Sequence, residues 1–164
     1  MVRNHAANSS LDQRIVAALQ QDATLSHAEL ADRVGSSTSS VWRRIRALEE
    51  RGVLEGTVRI VDQEAVGYGV NIICNIRVRS HTRDVRGSFE AFVDERPEVL
   101  ECYSMSGDWD YLLRIVAADV ADYERFLMGV LLEHPAVGSA SSHFALKRTK
   151  FTTCMPVDRL SAND

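Results

Sequence analysis

Residues 36–52 read SSTSSVWRRIRALEERG: five hydroxyl residues directly ahead of a helical pattern that carries three arginines within four positions. Val41, Ile45 and Leu48 recur at i, i+4 and i+7, which puts them on one side of an α-helix and predicts that side as core. Ser37 is placed to cap that helix and Gly52 to end it. The 164-residue chain has a formal net charge of −4, so the arginines are a local concentration against an acidic whole. Residues 33–51 alone carry +3, and within a Debye length of about 8–10 Å it is this local charge that a phosphate would feel.

Working upstream, Ser10 can cap a helix whose Leu11, Ile15, Val16, Ala18 and Leu19 keep helical spacing. Ser26 and Glu29 form a capping box that opens a second helix with Ala28, Leu30, Ala31 and Val34, and Gly35 stops it. Downstream, residues 54–61, LEGTVRIV, suit a small strand or wing. Two short helices, a glycine turn and a third helix opening on hydroxyls is the order of a winged helix-turn-helix. In that reading Ser37, Ser39 and Ser40 approach base edges or phosphates, and Arg43, Arg44 and Arg46 supply forked donors for guanine or phosphate. The amide ends of the second and third helices can each take a phosphate oxygen. Trp42 is expected to pack either against the first helix or against the backbone sugar of the DNA, with core packing the favoured role of the two. Double-stranded DNA is therefore the expected partner, weighed against an ordinary solvated charge face balanced by Glu49 and Glu50.

From Val70 the period changes. Val70, Ile72, Cys74, Ile76 and Val78 alternate with polar residues as in a half-buried strand. A helix with Val85, Phe89, Phe92 and Val93 follows, then strands over 99–105 and 109–117 around a Ser106-Gly107-Asp108 turn. A second helix runs from Val120 to Leu131, and a last strand covers 137–151. The order βαββαβ predicts a ferredoxin-like domain, making the chain α+β. The expected division is a disordered tail over 1–10, the winged helix-turn-helix over 11–61, a linker over 62–69, the ferredoxin-like domain over 70–157 and a tail over 158–164.

With 45% apolar and 26% charged residues the composition is globular, and no run approaches the roughly 20 apolar residues of a membrane span. The first ten residues lack a signal-peptide core, and a cytoplasmic location with no membrane partner is expected. Cys74, Cys102 and Cys154 make no C-x-x-C pair and are expected as inert thiols, without disulfide or zinc. No metal, cofactor or catalytic residue is expected. Asp108 and Asp110 bracket Trp109 and start out on opposite faces, with no third carboxylate near, so they are read as turn formers. A small enzyme using that pair, and a sensor module without DNA binding, are the alternative readings.

The stretch LDQRIVAALQQDATLSHAELADRVGSSTSSVWRRIRALEERGVL resembles the N-terminal domain of the Lrp/AsnC (feast/famine) family of bacterial transcription regulators. The resemblance continues through VDQEAVGYGV and CYSMSGDWDYLLRI to HPAV and the last strand, covering residues 11–157. It departs at Ser36, where members often carry an apolar residue. It implies a regulator of amino-acid metabolism whose second domain dimerises through its sheets, assembles into tetramers or octamers, and holds an amino-acid effector between subunits. By position, Met105, Gly107, Asp108, Trp109 and Asp110 would form one wall of that site, with Ser139, Ser141 and Ser142 coming from a neighbouring subunit. The ending KFTTCMPV resembles members that respond to cysteine or a branched-chain amino acid.

Overall fold

A computed structural model describes residues 10–160, so residues 1–9 of the expected tail over 1–10 and residues 161–164 of the expected tail over 158–164 lie outside the described residues, while Ser10 caps the first helix and Leu160 packs on the helical core. Two compact units form. One holds the described residues up to Arg59 together with those from Lys150 onward; the other runs Ile60–Thr149.

In the first unit, α1 (Leu11–Gln21), α2 (His27–Val34) and α3 (Thr38–Glu50) begin at Ser10, Ser26 and Ser37, each hydroxyl accepting an amide of the first turn. The boxes at Ser10 and Ser26 are reciprocal: Gln13 and Glu29 reach back to the cap amides, so two otherwise orphaned donors are satisfied at each end. Gly35 takes φ +65°, the left-handed conformation that lets the chain reverse between α2 and α3 without a Cβ clash. Ile15, Leu30, Val41 and Leu48 are fully buried where the helices meet. Side chains of this size stabilise by about 1.5–3 kcal/mol each when withdrawn from water, which is what lets so short a set of helices hold together.

The same core receives Val157 and Leu160. Gln20 binds the Met155 backbone from both ends of its amide, accepting at 2.6 Å and donating at 3.1 Å, and Gln13 donates to the Leu160 carbonyl. Residues 150–157, the far end of the expected second domain, thus lie with the helices. The expected strand within 54–61 does not form. Val53 and Leu54 pack on the helical core, but Val58, Ile60 and Val61 are exposed in a segment without regular secondary structure.

The second unit is a four-stranded antiparallel sheet ordered β2-β3-β1-β4, with β1 Val70–Val78, β2 Val99–Ser104, β3 Tyr111–Ala117 and β4 Val137–Phe144. This is the ferredoxin-like order. Helices α4 (Arg83–Asp94) and α5 (Val120–Phe126) supply Phe89, Val93, Tyr123 and Phe126 to a core made with Ile72, Cys74, Ile76, Leu113 and Ile115. The second helix widens into a π-helical turn at Leu127–Leu131. The last strand stops at Phe144 instead of Phe151 because its partner runs out: Phe144 pairs with Ile72, near the start of β1. No helix among the described residues is long and apolar enough to cross a membrane.

Candidate nucleic-acid interface and effector turn

Along α3 the side chains sort by angle. Val41, Ile45 and Leu48 face the helical core, while Ser39, Trp42, Arg43 and Arg46, spaced i, i+3, i+4 and i+7, share the outward side. Trp42 is 50% exposed, so the expected core packing is corrected: the indole lies about 100° around the helix from Val41 and cannot join its stripe. The Arg46 guanidinium sits 5.5 Å from its ring centroid. Arg44 turns the other way. Its guanidinium is 3.5 Å from Asp12 on α1, and Arg51, seven residues on, reaches the same carboxylate at 3.7 Å. Asp12 is only 3% exposed, so both arginines clamp α3 to α1.

The two helix openings differ as anion seats. At α2 the Glu29 carboxylate already occupies the Ser26 amide and hydroxyl, at 2.8 and 2.6 Å, and the Ser26 hydroxyl and amide hold it below the usual carboxylate range. A second anion there meets a fixed negative charge. The first turn of α3 carries no acid; Ser37 accepts the Ser40 amide at 3.2 Å and lies 3.3 Å from the Ser39 hydroxyl, leaving the opening positive. Ser39 is exposed and Ser40 half-buried.

In the second unit the β2–β3 turn is fastened to β1. The Asp110 amide donates to the Ile76 carbonyl and the Met105 amide to the Asp110 carbonyl, at 2.9 and 2.8 Å. The Asp110 carboxylate accepts the Val78 amide at 2.8 Å and lies 2.7 Å from His81 Nε2. Burial would raise its pKa, but the Val78 amide, His81 and Arg77 together outweigh that and hold it below the ordinary value. Arg77 donates twice to the Asp108 carbonyl, at 3.2 and 2.7 Å, and stacks 5.0 Å from the Trp109 ring. Gly107, at φ +121°, makes the reversal, and Met105 and Asp108 stand exposed on it.

The three serines divide between the faces of β4. Ser139 and Ser141 lie opposite Arg77 and Asn75 on the face without helices. Ser142 lies opposite buried Cys74, 2.6 Å from the Tyr123 hydroxyl and 3.8 Å from the Cys74 sulfur, on the helix side. Burial pushes the Cys74 thiol and the Tyr123 phenol up, so both stay protonated. Sequence reasoning missed Arg77 and His81 as partners of the turn; the alternation of β1 marked Arg77 as outward but not what it would meet. No group of three or more His, Cys, Asp or Glu side chains suited to a metal occurs among the described residues.

Two family models match the chain: a winged helix-turn-helix DNA-binding domain over residues 9–55 and an Lrp/AsnC ligand binding domain over 71–155. Among curated relatives, the DNA-binding transcriptional activator DecR of Escherichia coli is 35% identical over 90% of this chain and 97% of its own length. The glutamate uptake regulatory protein of Zymomonas mobilis is 36% identical over 92% and 91%. Among solved structures, an AsnC family transcriptional regulator from Agrobacterium tumefaciens superposes with a TM-score of 0.88 at 40% identity, covering 94% of this chain and all of that one. A Neisseria meningitidis transcriptional regulator in complex with L-Met gives 0.88 at 33% identity, covering 94% and 99%.

Proposed function

This chain belongs to the Lrp/AsnC family of DNA-binding transcriptional regulators, and from that premise we propose that it controls amino-acid-related genes by grasping operator DNA with α3 and sensing an amino acid at the β2–β3 turn. The carrying observation is the outward side of α3. Ser39, Arg43 and Arg46 stand free of the core on a helix whose opening holds no acid, while Arg44 and Arg51 are spent on Asp12. Arg43 and Arg46 meet phosphate or guanine, Ser39 and Ser40 lie close to the groove, Ser37 holds the helix opening in shape, and Arg44 fixes the angle of the helix. Functionally, residues 11–61 carry DNA binding, 62–69 link, and 70–157 sense and assemble, with 150–157 returning to the helical unit.

For the effector, an amino acid presents an ammonium and a carboxylate in fixed relation. Asp108 on the exposed turn offers the anion for the first, while Asp110 holds the turn in place through Val78 and His81. Met105, Gly107 and Trp109 complete that wall, and the hydroxyls of Ser139 and Ser141 face it from a second subunit; Ser142 supports the strand from behind through Tyr123. The protein acts as a homodimer, assembling further to tetramers or octamers, in the cytoplasm. Methionine, held by the Neisseria relative, joins cysteine and the branched-chain amino acids as the effectors to try first.

The test is DNA binding by the purified protein across a salt series, repeated with each amino acid. Loss of each phosphate contact lowers the slope of log K against log salt by about 0.9, so Arg43→Ala and Arg46→Ala should each flatten it while Arg44→Ala leaves it unchanged. A wild-type affinity that ignores salt would remove DNA from the reading. An amino-acid response that survives Asp108→Ala would remove the turn.

A further inference from the structure

Trp42 is the feature that neither the fold nor the arginine clamp explains. A half-exposed indole leaves a large apolar surface in water, and the helical core beside it is already filled by Val41, Ile45 and Leu48. It stands in the fifth position of α3, on the side shared with Ser39, Arg43 and Arg46. The N-terminal part of a recognition helix is the part that reaches base edges. The charged residues next to Trp42 on that side are Arg43 and Arg46, with Glu49 and Glu50 a turn further along, so the occupant that suits the surface immediately around the indole is polyanionic around an apolar centre. Duplex DNA offers that combination in its major groove, where phosphates flank the one apolar base substituent, the C5 methyl of thymine.

We propose that Trp42 is a specificity-determining residue that reads a thymine methyl in each half-site, its ring held in position by the Arg46 guanidinium stacked on it. This rests on the DNA-binding reading above. The stacked cation presets the ring angle before binding, and the indole Nε1–H remains a single donor for a neighbouring acceptor such as N7 or a phosphate oxygen. Arg43 and Arg46 give affinity that varies with salt, whereas Trp42 gives affinity that varies with sequence and little with salt.

The experiment uses the full chain. An operator is selected from a pool of random duplexes, and each of its thymines is then replaced in turn by uracil, which removes the methyl and nothing else. Wild-type protein should lose about fourfold in affinity at one thymine of each half-site, the equivalent of one buried carbon group of about 0.8 kcal/mol. Trp42→Ala should bind the thymine operator more weakly, keep the wild-type salt slope, and lose its sensitivity to uracil at that position. Trp42→Phe, which keeps a flat apolar ring, should retain the sensitivity. Equal uracil sensitivity in wild type and Trp42→Ala would overturn the inference, as would a wild-type operator with no sensitive thymine. A wild-type protein that selects no duplex at any salt would instead remove the DNA-binding reading, and the inference with it.

Discussion

Replacing Asp12 by alanine should loosen the recognition helix more than any change on its outward side. The carboxylate is 3% exposed, with guanidinium groups at 3.5 and 3.7 Å, and its Oδ1 has no hydrogen-bond geometry with either, so the attraction is chiefly that of charge. Removing one member of a fully dry pair costs about 3–5 kcal/mol, because the survivor stays buried and uncompensated. Here Arg44 and Arg51 keep 38% and 32% of their exposure and can recover water, which brings the expected loss down to about 2 kcal/mol. Amide hydrogen exchange on the whole protein reads this locally. Protection at Val41 and Leu48 should fall by about 30-fold, while that at Ile72 and Leu113 in the other unit holds. Combining Asp12→Ala with Arg44→Ala should then cost less than the sum of the two by about 1 kcal/mol, as groups in direct contact do. If the two losses add within about 0.3 kcal/mol, the clamp is an accident of geometry and Arg44 is free to serve DNA.

Tyr123→Phe should destabilise the second unit by about 1 kcal/mol in urea unfolding, since it removes the 2.6 Å bond to Ser142 while leaving the ring packing on Phe144 intact. Gly138→Ala should cost more than an exposed strand position allows, because a Cβ there would sit 3.0 Å from the Arg77 carbonyl at the irregular end of the β1–β4 ladder; loss of protection confined to Arg79 and Val78 would mark it. Asp110 has a lowered folded pKa, so its stabilisation is complete above the unfolded value of about 3.9 and disappears as pH falls through the folded value. Asp110→Asn should therefore lower stability at neutral pH and flatten the acid limb of the stability profile. Iodoacetamide on the native protein should label Cys154 and Cys102 but spare buried Cys74, and Cys102, whose thiol is pushed up by burial and Glu90, should react faster as pH is raised.

The helical unit was largely legible in the sequence because its signals are local: each helix start is a serine whose cap partner lies three residues away, and the turn is a glycine. Period also marked the βαββαβ order of elements in the second unit, which implies the ferredoxin-like class. What stayed hidden needed distance in the chain. Asp12 reads as a first-turn acid until α3 lies across it, and His81 is 29 residues from the carboxylate it meets. Trp42 departs from the favoured core placement for a different reason: its apolar character points inward, but its offset of about 100° from Val41 carries it off the buried stripe. Val58, Ile60 and Val61 satisfy a β propensity without forming a strand among the described residues, since propensity does not by itself supply a pairing partner.

The return of residues 150–160 to the helices has a consequence for the order in which the protein is made. The DNA-binding unit is written in two instalments, with the entire sensing unit translated between them. As the chain leaves the ribosome, the three helices emerge first, but Val157 and Leu160, which complete their core, and the backbone that Gln13 and Gln20 hold, arrive only after the sheet has been synthesised. A nascent chain therefore carries an unfinished DNA-binding head until its sensor exists, and a chain cut short after β4 has a sheet but no completed grip.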